Sequence, residues 1–489
     1  MKHISLYFIG ICTALLFTSC GKDIKISKQT EKEISIFPDY KNVTIPYNIA
    51  PLDFSVNGNA KYQLIISDNH RSFQVEETNG FFDIPISKWK DLLQQNKDKS
   101  ILLTICELQG KEWIAYKPFQ IDITKESIDP YIAYRLIPPG YELWNEMGIY
   151  QRDLSSFDQS CIYKNTLSDK NCVNCHSFCM QNPKQMMFHS RAKHAGTLVI
   201  ENGKIEKLNT KTDQTISPLV YPSWHPSGKY IAFSVNTTKQ SFHNFNRNRI
   251  EVFDQASDVV VYDVEKHQIS SSPLLKSQKA FETFPTFSPD GKSLYFCSAQ
   301  AVDSMPQKYD KVKYNLCRID FHPQNMTFGN HVDTIFNAAA LSKSASFPRI
   351  SPDGKYLIFT LHSYGNFSIW HKDADLYAVN LCNKKTYALT AANSKDTESY
   401  HSWSSNSHWL VFSSRRVDGL YTRPFFTYID KKGKAHKPFM LPQKNPRKYY
   451  RELMVSYNIP EFIKGKVDVN KHKLAETLKK SEGINVSYK

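Results

Sequence analysis

Two cysteines and a histidine stand close together near the middle of the chain. They lie in the run Cys172-Val173-Asn174-Cys175-His176. At this spacing each thiol can form a thioether with one vinyl group of a porphyrin, and the following imidazole can ligate the iron. The alternatives are a zinc or redox CxxC pair, or structural cysteines that happen to precede a histidine. The run predicts one covalently attached haem c, held by Cys172 and Cys175, with His176 as the proximal iron ligand.

Other sulfur and imidazole groups flank this motif. The iron of an electron carrier usually takes a second axial ligand, and the alternating run 186–189 would place Met187 and His189 on one face of a strand. We expect His189, or else Met187, as the distal ligand; the alternative is an open iron that binds a small molecule. Cys161 and Cys179 bracket the motif, and we expect a disulfide between them if haem takes the inner thiols. A four-thiolate metal site is the competing use of these cysteines.

The first twenty residues have the features of an export signal. A basic start precedes an apolar run that is too short to span a membrane. The ending Phe17-Thr18-Ser19-Cys20-Gly21 resembles the lipobox of Gram-negative bacterial lipoproteins. This resemblance implies a signal peptide over residues 1–19, an acylated Cys20 and an outer-membrane lipoprotein that faces the periplasm or the cell surface; ordinary secretion with a free Cys20 is the alternative. Export favours haem attachment and disulfides over structural zinc.

The composition narrows the function classes. The chain has 489 residues and a formal charge of +15 that is spread along its length, which indicates a solvated surface rather than a nucleic-acid site. We expect membrane contact through the lipid and no nucleic-acid partner. The sequence contains no phosphate loop, HExxH motif or recognisable Ser-His-Asp triad, so an enzyme is the less favoured class. Abundant Tyr and Phe in short alternating runs predict a mainly β protein.

The N-terminal third reads as a tether followed by a domain. Residues 21–38 are polar and Lys-rich, which is typical of a flexible linker. Residues 39–135 hold seven or eight short apolar runs, which predict an immunoglobulin- or fibronectin-like sandwich. Pro138-Pro139-Gly140 marks a break, and we assign residues 136–195 to a separate haem-attachment segment.

Four segments farther along the chain repeat one another. They are Tyr221–Ser234, Phe284–Cys297, Phe347–Thr360 and the more divergent His401–Ser413. Each predicts a strand, a tight turn and a second strand, and further apolar runs between the copies supply two more strands. Four strands per repeat at this period predict the blades of a β-propeller.

The repeats resemble the TolB-type propeller, whose core has the pattern seen in Ser288-Pro289-Asp290-Gly291-Lys292. The resemblance covers roughly residues 196–445 and implies a scaffold that binds a protein partner, with no catalysis attached. We predict a propeller of five or six blades over residues 196–460, in which residues 453–457 close the blade that contains residues 196–208. The Lys-rich stretch 461–489 is assigned as a tail.

Three functions fit these features. The first is a lipid-anchored mono-haem c-type cytochrome that transfers electrons and docks a partner through its propeller. The second is a non-redox interaction protein whose cysteines are structural. The third is an enzyme or ligand sensor that uses an open iron or the propeller channel. The sequence favours the first, because the haem motif and the export signal agree.

Overall fold

A computed structural model describes residues 24–138, 146–244, 248–480 and 482–489. The predicted signal peptide and Cys20 lie outside these described ranges, as do Pro139 and Gly140. Within the ranges, no helix combines the length and the hydrophobicity needed to span a membrane.

The N-terminal region folds around one mixed sheet. Its described elements are β1 Ile26–Gln29, β2 Ile36–Phe37, β3 Thr44–Pro46, β4 Ser55–Val56, β5 Lys61–Ser67, β6 Ser72–Thr78, β7 Phe81–Phe82, α1 Ile86–Gln95, β8 Lys99–Gln109, β9 Glu112–Ala115 and β10 Phe119–Thr124. The strand order is β1-β9-β8-β5-β6-β7, with β10 joined to β8 and β3, while β2 and β4 form a separate pair. The β1–β9 and β3–β10 pairings are parallel.

This arrangement differs from two predicted features. The strands form one continuous mixed sheet with a small added ladder, so the immunoglobulin-like sandwich is not shown. Alternation identifies a strand but not its partner, which depends on contacts distant in sequence. The predicted flexible linker is also partly ordered, because β1 pairs with β9.

In the described residues, six sheets, four of them four-stranded and two five-stranded, form the blades of a β-propeller. Blade I contains β11 Tyr131–Ile137, β12 Gly148–Asp153 and β13 Gln159–Lys164; blade II contains β14 Val173–Phe178, β15 Gln185–Ser190, β16 Gly196–Glu201 and β17 Lys204–Asn209; blade III contains β18 Leu219–Trp224, β19 Tyr230–Phe242, β20 Ile250–Asp263 and β21 Gln268–Ser270. Blade IV contains β22 Ala280–Phe287, β23 Ser293–Gln300, β24 Asn315–His322 and β25 Thr327–Phe336; blade V contains β26 Ser344–Ile350, β27 Tyr356–His362, β28 Asp375–Asn380 and β29 Thr386–Ala388; blade VI contains β30 Glu398–Trp403, β31 Trp409–Ser414, β32 Arg423–Tyr428 and β33 Phe439–Met440.

The C-terminal residues close the ring. They form α2 Pro446–Glu452, β34 Ser456–Ile463, α3 Lys471–Lys480, β35 Ile484–Asn485 and β36 Ser487–Tyr488. Strand β34 pairs antiparallel with β11 and becomes the innermost strand of blade I. The innermost strands then contact one another in the order β14, β18, β22, β26, β30, β34 and back to β14. The predicted closing strand therefore exists slightly later in the chain and completes a different blade.

The segment assigned to haem attachment is not separate from the propeller. Strands β12 to β15 place it in blades I and II, so the propeller begins near Tyr131 rather than at residue 196. These two blades lack the Pro-Asp-Gly turn of blades IV and V and the related turns of blades III and VI, so their strands do not align with the other copies through the turn. The predicted tail also belongs to the fold. Leu474 and Leu478 of α3 are fully buried, and β35 and β36 extend blades II and III.

The N-terminal sheet packs directly on blades V and VI. Trp89 of α1 and Trp409 of β31 belong to one continuous hydrophobic core. Polar contacts fix the same interface: the Ser405 hydroxyl donates to Asp129 Oδ1 at 2.6 Å, and the Trp409 indole donates to the Glu126 carbonyl at 3.2 Å. The N-terminal domain is thus held against the outside of the propeller, away from the channel.

Candidate functional site

The innermost strand of every described blade carries the same bulge, where two residues face one residue of the neighbouring strand. The first residue of each pair has a positive φ: Cys175 (54°), Tyr221 (49°), Phe284 (51°), Phe347 (53°), Tyr400 (50°) and Ile459 (50°). The second residues are His176, Pro222, Pro285, Pro348, His401 and Pro460. Bulges redirect side chains, and here they direct one residue per blade toward the channel. Cys175 and His176 of the haem motif therefore occupy the bulge that is repeated in every described blade.

The first residues of these bulges meet in the middle of the channel, and we call these six residues the channel ring. Aromatic centroids are 4.6 Å apart between Tyr221 and Phe284, 4.0 Å between Phe284 and Phe347, and 4.7 Å between Phe347 and Tyr400. Cys175 and Ile459 occupy the two blade positions without an aromatic ring. Two cavities of different chemical character meet at this ring. All six residues line one of them, and Cys175, Tyr221, Tyr400 and Ile459 also line the other.

The larger space, the thiol cavity, has a volume of about 570 Å³ and is lined by both cysteines of the motif. Its other polar lining residues include Arg135, His189 and Arg191. Burial raises the pKa of the Cys175 thiol, so this group is protonated at neutral pH. The backbone carbonyl of Cys172 accepts a hydrogen bond from the Arg191 amide at 2.9 Å, which fixes the start of the motif.

His189 lies on the wall of the thiol cavity. Its Nδ1 is 3.0 Å from the Thr197 hydroxyl, which orients the ring. Burial, with a smaller contribution from Arg191, lowers the pKa of His189 to about 3, so the ring is neutral at physiological pH. Arg135 donates to the Val173 carbonyl at 3.0 Å and holds positive charge beside the cavity. The cavity thus combines two thiols, a neutral imidazole and two guanidinium groups.

The smaller space, the imidazole cavity, has a volume of about 160 Å³. His176 and His401 line it, and each side chain is buried, with 3% of its surface exposed. Burial lowers the pKa of both histidines to about 3. Arg349 and Glu461 line the same cavity, and burial raises the pKa of Glu461 to about 8.

A buried polar cluster lies beside the thiol cavity. Asp254 Oδ2 accepts hydrogen bonds from Asn236 at 2.9 Å, from Asn366 at 2.6 Å and from the Tyr314 hydroxyl at 3.3 Å. Asn236 also lines the thiol cavity. Burial raises the pKa of Asp254 to about 7 despite these hydrogen bonds. The cluster joins blades III, IV and V behind the cavity wall.

The structure brings some of the predicted haem ligands together and separates others. Cys172 and His189 line the thiol cavity, His176 lines the imidazole cavity, and Cys175 lines both. Met187 is fully buried in the hydrophobic core that blades II and III share, and it lines neither cavity. Within the described residues, no group of three or more His, Cys, Asp or Glu side chains is arranged to hold a metal ion.

The predicted disulfide between Cys161 and Cys179 is not formed, and both residues are free thiols. Cys161 lies on β13, at the outer edge of blade I, opposite Tyr150. Cys179 follows β14 and packs in the core between blades II and III, with its Sγ 3.8 Å from the His225 carbonyl oxygen. The two thiols belong to different blades, so closeness in sequence does not place them together.

A short sequence match between two blades identifies the strand that carries His176, and the four aligned repeats do not include it. Cys175-His176-Ser177-Phe178 matches Tyr400-His401-Ser402-Trp403 in residue type at three of four positions. Aligning these runs would place the motif on an innermost strand. Arg349 and Glu461 carry no such signal, because each is a charged exception at a position where the other blades have Ser or Thr.

Comparisons with known proteins assign no family to this chain. No protein-family model and no curated protein matches the chain. Among solved structures, the periplasmic gluconolactonase PpgL of Pseudomonas aeruginosa is 10% identical, with 68% of this chain and 99% of that chain covered and a TM-score of 0.37. The propeller domain of the Trilobed protease from Pyrococcus furiosus is 11% identical (79% and 99% covered, TM-score 0.35), and an oligogalacturonate lyase in complex with manganese is 10% identical (65% and 74% covered, TM-score 0.36).

Proposed function

We propose that this protein is a lipid-anchored envelope protein that carries one haem c in its propeller and transfers electrons to a partner protein. The observation that supports this most strongly is that both thiols of the motif line one cavity together with His189. The volume of that cavity, about 570 Å³, is in the range of about 300–1,000 Å³ that is typical of ligand and cofactor sites.

The lining residues fit a porphyrin in several respects. Cys172 and Cys175 would form the thioethers, and Arg135 and Arg191 would pair with the propionate carboxylates. His189 would ligate iron, since the Thr197 hydroxyl already fixes its ring through Nδ1. His176, the ligand that the motif predicts, lines the imidazole cavity on the other side of Cys175.

The chain would supply position and environment for this chemistry. When bound, haem supplies one-electron redox chemistry. The channel ring excludes water from one side of the thiol cavity, and the guanidinium groups of Arg135 and Arg191 favour the more electron-rich, reduced state. The propeller surface would then dock the redox partner.

A second function is a non-redox interaction propeller, and one observation favours it. Cys175 and His176 occupy the repeat bulge and line the channel like their counterparts in the other blades. In this alternative the cysteines are structural, and the protein acts by binding a partner alone.

Haem attachment is tested by producing the full chain with a c-type haem maturation system and staining for haem after denaturing electrophoresis. We expect haem that survives denaturation in the wild type and none in the variant Cys172→Ala with Cys175→Ala. The matched control replaces two other thiols, Cys161→Ala with Cys382→Ala, and should retain haem. Unstained wild-type protein from cells that mature a reference cytochrome would exclude the redox function and favour the interaction propeller.

The anchor is tested separately. Labelled fatty acid should enter the wild-type chain but not a Cys20→Ala variant, and only the wild type should sediment with membranes. Equal labelling of the two chains would rule out acylation at Cys20.

A further inference from the structure

Four buried polar atoms of the imidazole cavity make no hydrogen bond to any residue that the structure describes. These are Nδ1 and Nε2 of His176, Oε1 of Gln181 and Nδ1 of His401. The Ile459 carbonyl lies near the His176 ring and favours its protonated form, but neither ring nitrogen makes a hydrogen bond of accepted geometry. A buried polar group without a partner destabilises the fold, so four such atoms around one cavity indicate a ligand that pairs with them.

The hydrogen bonds around the cavity define what these atoms need. Nε2 of His401 is 2.9 Å from the Ile358 carbonyl oxygen, which can only accept. Nε2 therefore carries the proton of the neutral ring, and Nδ1 is an acceptor. Gln181 donates its Nε2 to the Trp403 carbonyl at 3.3 Å, which leaves Oε1 as a second acceptor. These two acceptors, His401 Nδ1 and Gln181 Oε1, require a ligand that can donate hydrogen bonds.

The aromatic walls of the cavity favour a ligand with a flat, weakly polar face. Trp224 and Trp403 line it, and their indole N–H groups are already used, by the Ser177 carbonyl at 3.4 Å and the Arg349 carbonyl at 3.1 Å. The two rings therefore offer their carbon surfaces rather than their donors. Pro222 and Pro285 extend this apolar lining.

The charge of the cavity lining distinguishes between two kinds of ligand that donate hydrogen bonds, amines and alcohols. The Arg349 guanidinium lines the cavity together with Glu461, whose pKa is raised to about 8 by burial, so this carboxyl is mainly neutral at pH 7. The remaining positive charge disfavours an ammonium group. Hydroxyl groups donate hydrogen bonds without adding charge. The volume of about 160 Å³ equals that of roughly five water molecules, which suits a single small ring.

We infer that the imidazole cavity binds a small, neutral, hydroxyl-rich molecule of the size of one sugar ring. Its hydroxyl groups would donate to Gln181 Oε1 and His401 Nδ1, and its C–H faces would pack on Trp224 and Trp403. This inference does not depend on haem, because the two acceptors that it uses, Gln181 Oε1 and His401 Nδ1, belong to residues that line the imidazole cavity and not the thiol cavity.

The test is ligand-observed saturation-transfer NMR on the full chain, with glucose and galactose as neutral probes. Glucosamine and glucuronate are the charged counterparts of these probes. We expect at least one neutral sugar to bind, and more strongly than glucosamine. Gln181→Met removes one acceptor at nearly constant volume and should weaken binding about tenfold. The control, Gln185→Met, alters a glutamine of the same blade that bonds Glu201 and the Gly228 carbonyl outside the cavity, and it should bind like wild type.

Three results would overturn the inference: no signal from either neutral sugar on folded wild type, stronger binding of glucosamine, or unchanged affinity in a folded Gln181→Met variant. The first two results are obtained with the wild type alone, so they decide the question even if the Gln181→Met variant does not fold. Haem content is not a readout in this experiment, and its outcome is therefore separate from that of the proposed redox function.

Discussion

His176 and His401 occupy the same position in two blades, each as the second residue of the channel bulge. Both rings are buried and line the imidazole cavity, and burial lowers both pKa values to about 3. His176 is thus a haem-motif residue by sequence and a channel residue by structure, whereas His189 lines the cavity that holds the motif thiols.

In protein that carries covalent haem, we expect His189→Ala to remove a nitrogen ligand from the iron, because His189 faces the thiol cavity. The absorption spectrum of the reduced protein should change, and haem should remain attached through Cys172 and Cys175. His194→Ala is the control, since His194 contacts Asp169 at 2.8 Å on the same blade and lines neither cavity. If His176→Ala alters the spectrum while His189→Ala does not, His176 is the ligand and His189 is not.

Ring closure predicts a large stability loss for Tyr457→Ala. Tyr457 lies on β34, is fully buried, contacts Tyr134 with ring centroids 4.6 Å apart and bonds the Tyr449 hydroxyl at 2.6 Å. We expect the free energy of unfolding, measured in urea, to fall by about 3–5 kcal/mol. Met454→Ala alters an exposed side chain just before the strand and should change it by less than about 0.5 kcal/mol. Similar losses in both variants would contradict the closing role of β34.

The buried carboxyl of Asp254 predicts a stability that falls as pH rises. Its pKa is near 4 in an unfolded chain and about 7 in the fold, so its stabilising contribution is complete below pH 4 and is lost as pH rises to 7. Asp254→Asn lacks this titration. The substitution should therefore cost less at pH 8 than at pH 4.5, by about 3 kcal/mol.

Urea unfolding at the two pH values measures this difference. Asp213→Asn, at an exposed position, should change stability little at either pH. An Asp254→Asn cost that is equal at both values would show that the carboxyl is ionised in the fold.

The free cysteines predict a graded labelling pattern. In native protein we expect an alkylating reagent to modify the exposed Cys382 first, the half-buried Cys161 more slowly and the buried Cys179 only after unfolding. Mass mapping without reductant should recover Cys161 and Cys179 as separate peptides. A cross-linked peptide that contains both cysteines would show that the predicted disulfide forms in the protein.

The β-propeller is confirmed, and the repeats explain why it was predictable. Copies such as Phe284–Cys297 and Phe347–Thr360 keep the turn residues and the alternation that local strand pairing requires. Of blade II only the outer strands, over residues 196–208, were predicted, and blade I was missed, because its strands are joined by other turns and it takes β34 from the far end of the chain. Pairing across more than three hundred residues leaves no local pattern.

The sequence alone determined which groups are present: two thiols and an imidazole at haem spacing, and a repeat that forms blades. The tertiary structure decided where those groups lie. Cys175 has a positive φ in a bulge, and this backbone turn places His176 in one cavity while Cys172 and His189 line the other. The bulge depends on pairing with β15 and on ring closure by β34. Both are contacts between distant residues, so spacing along the chain could not predict them.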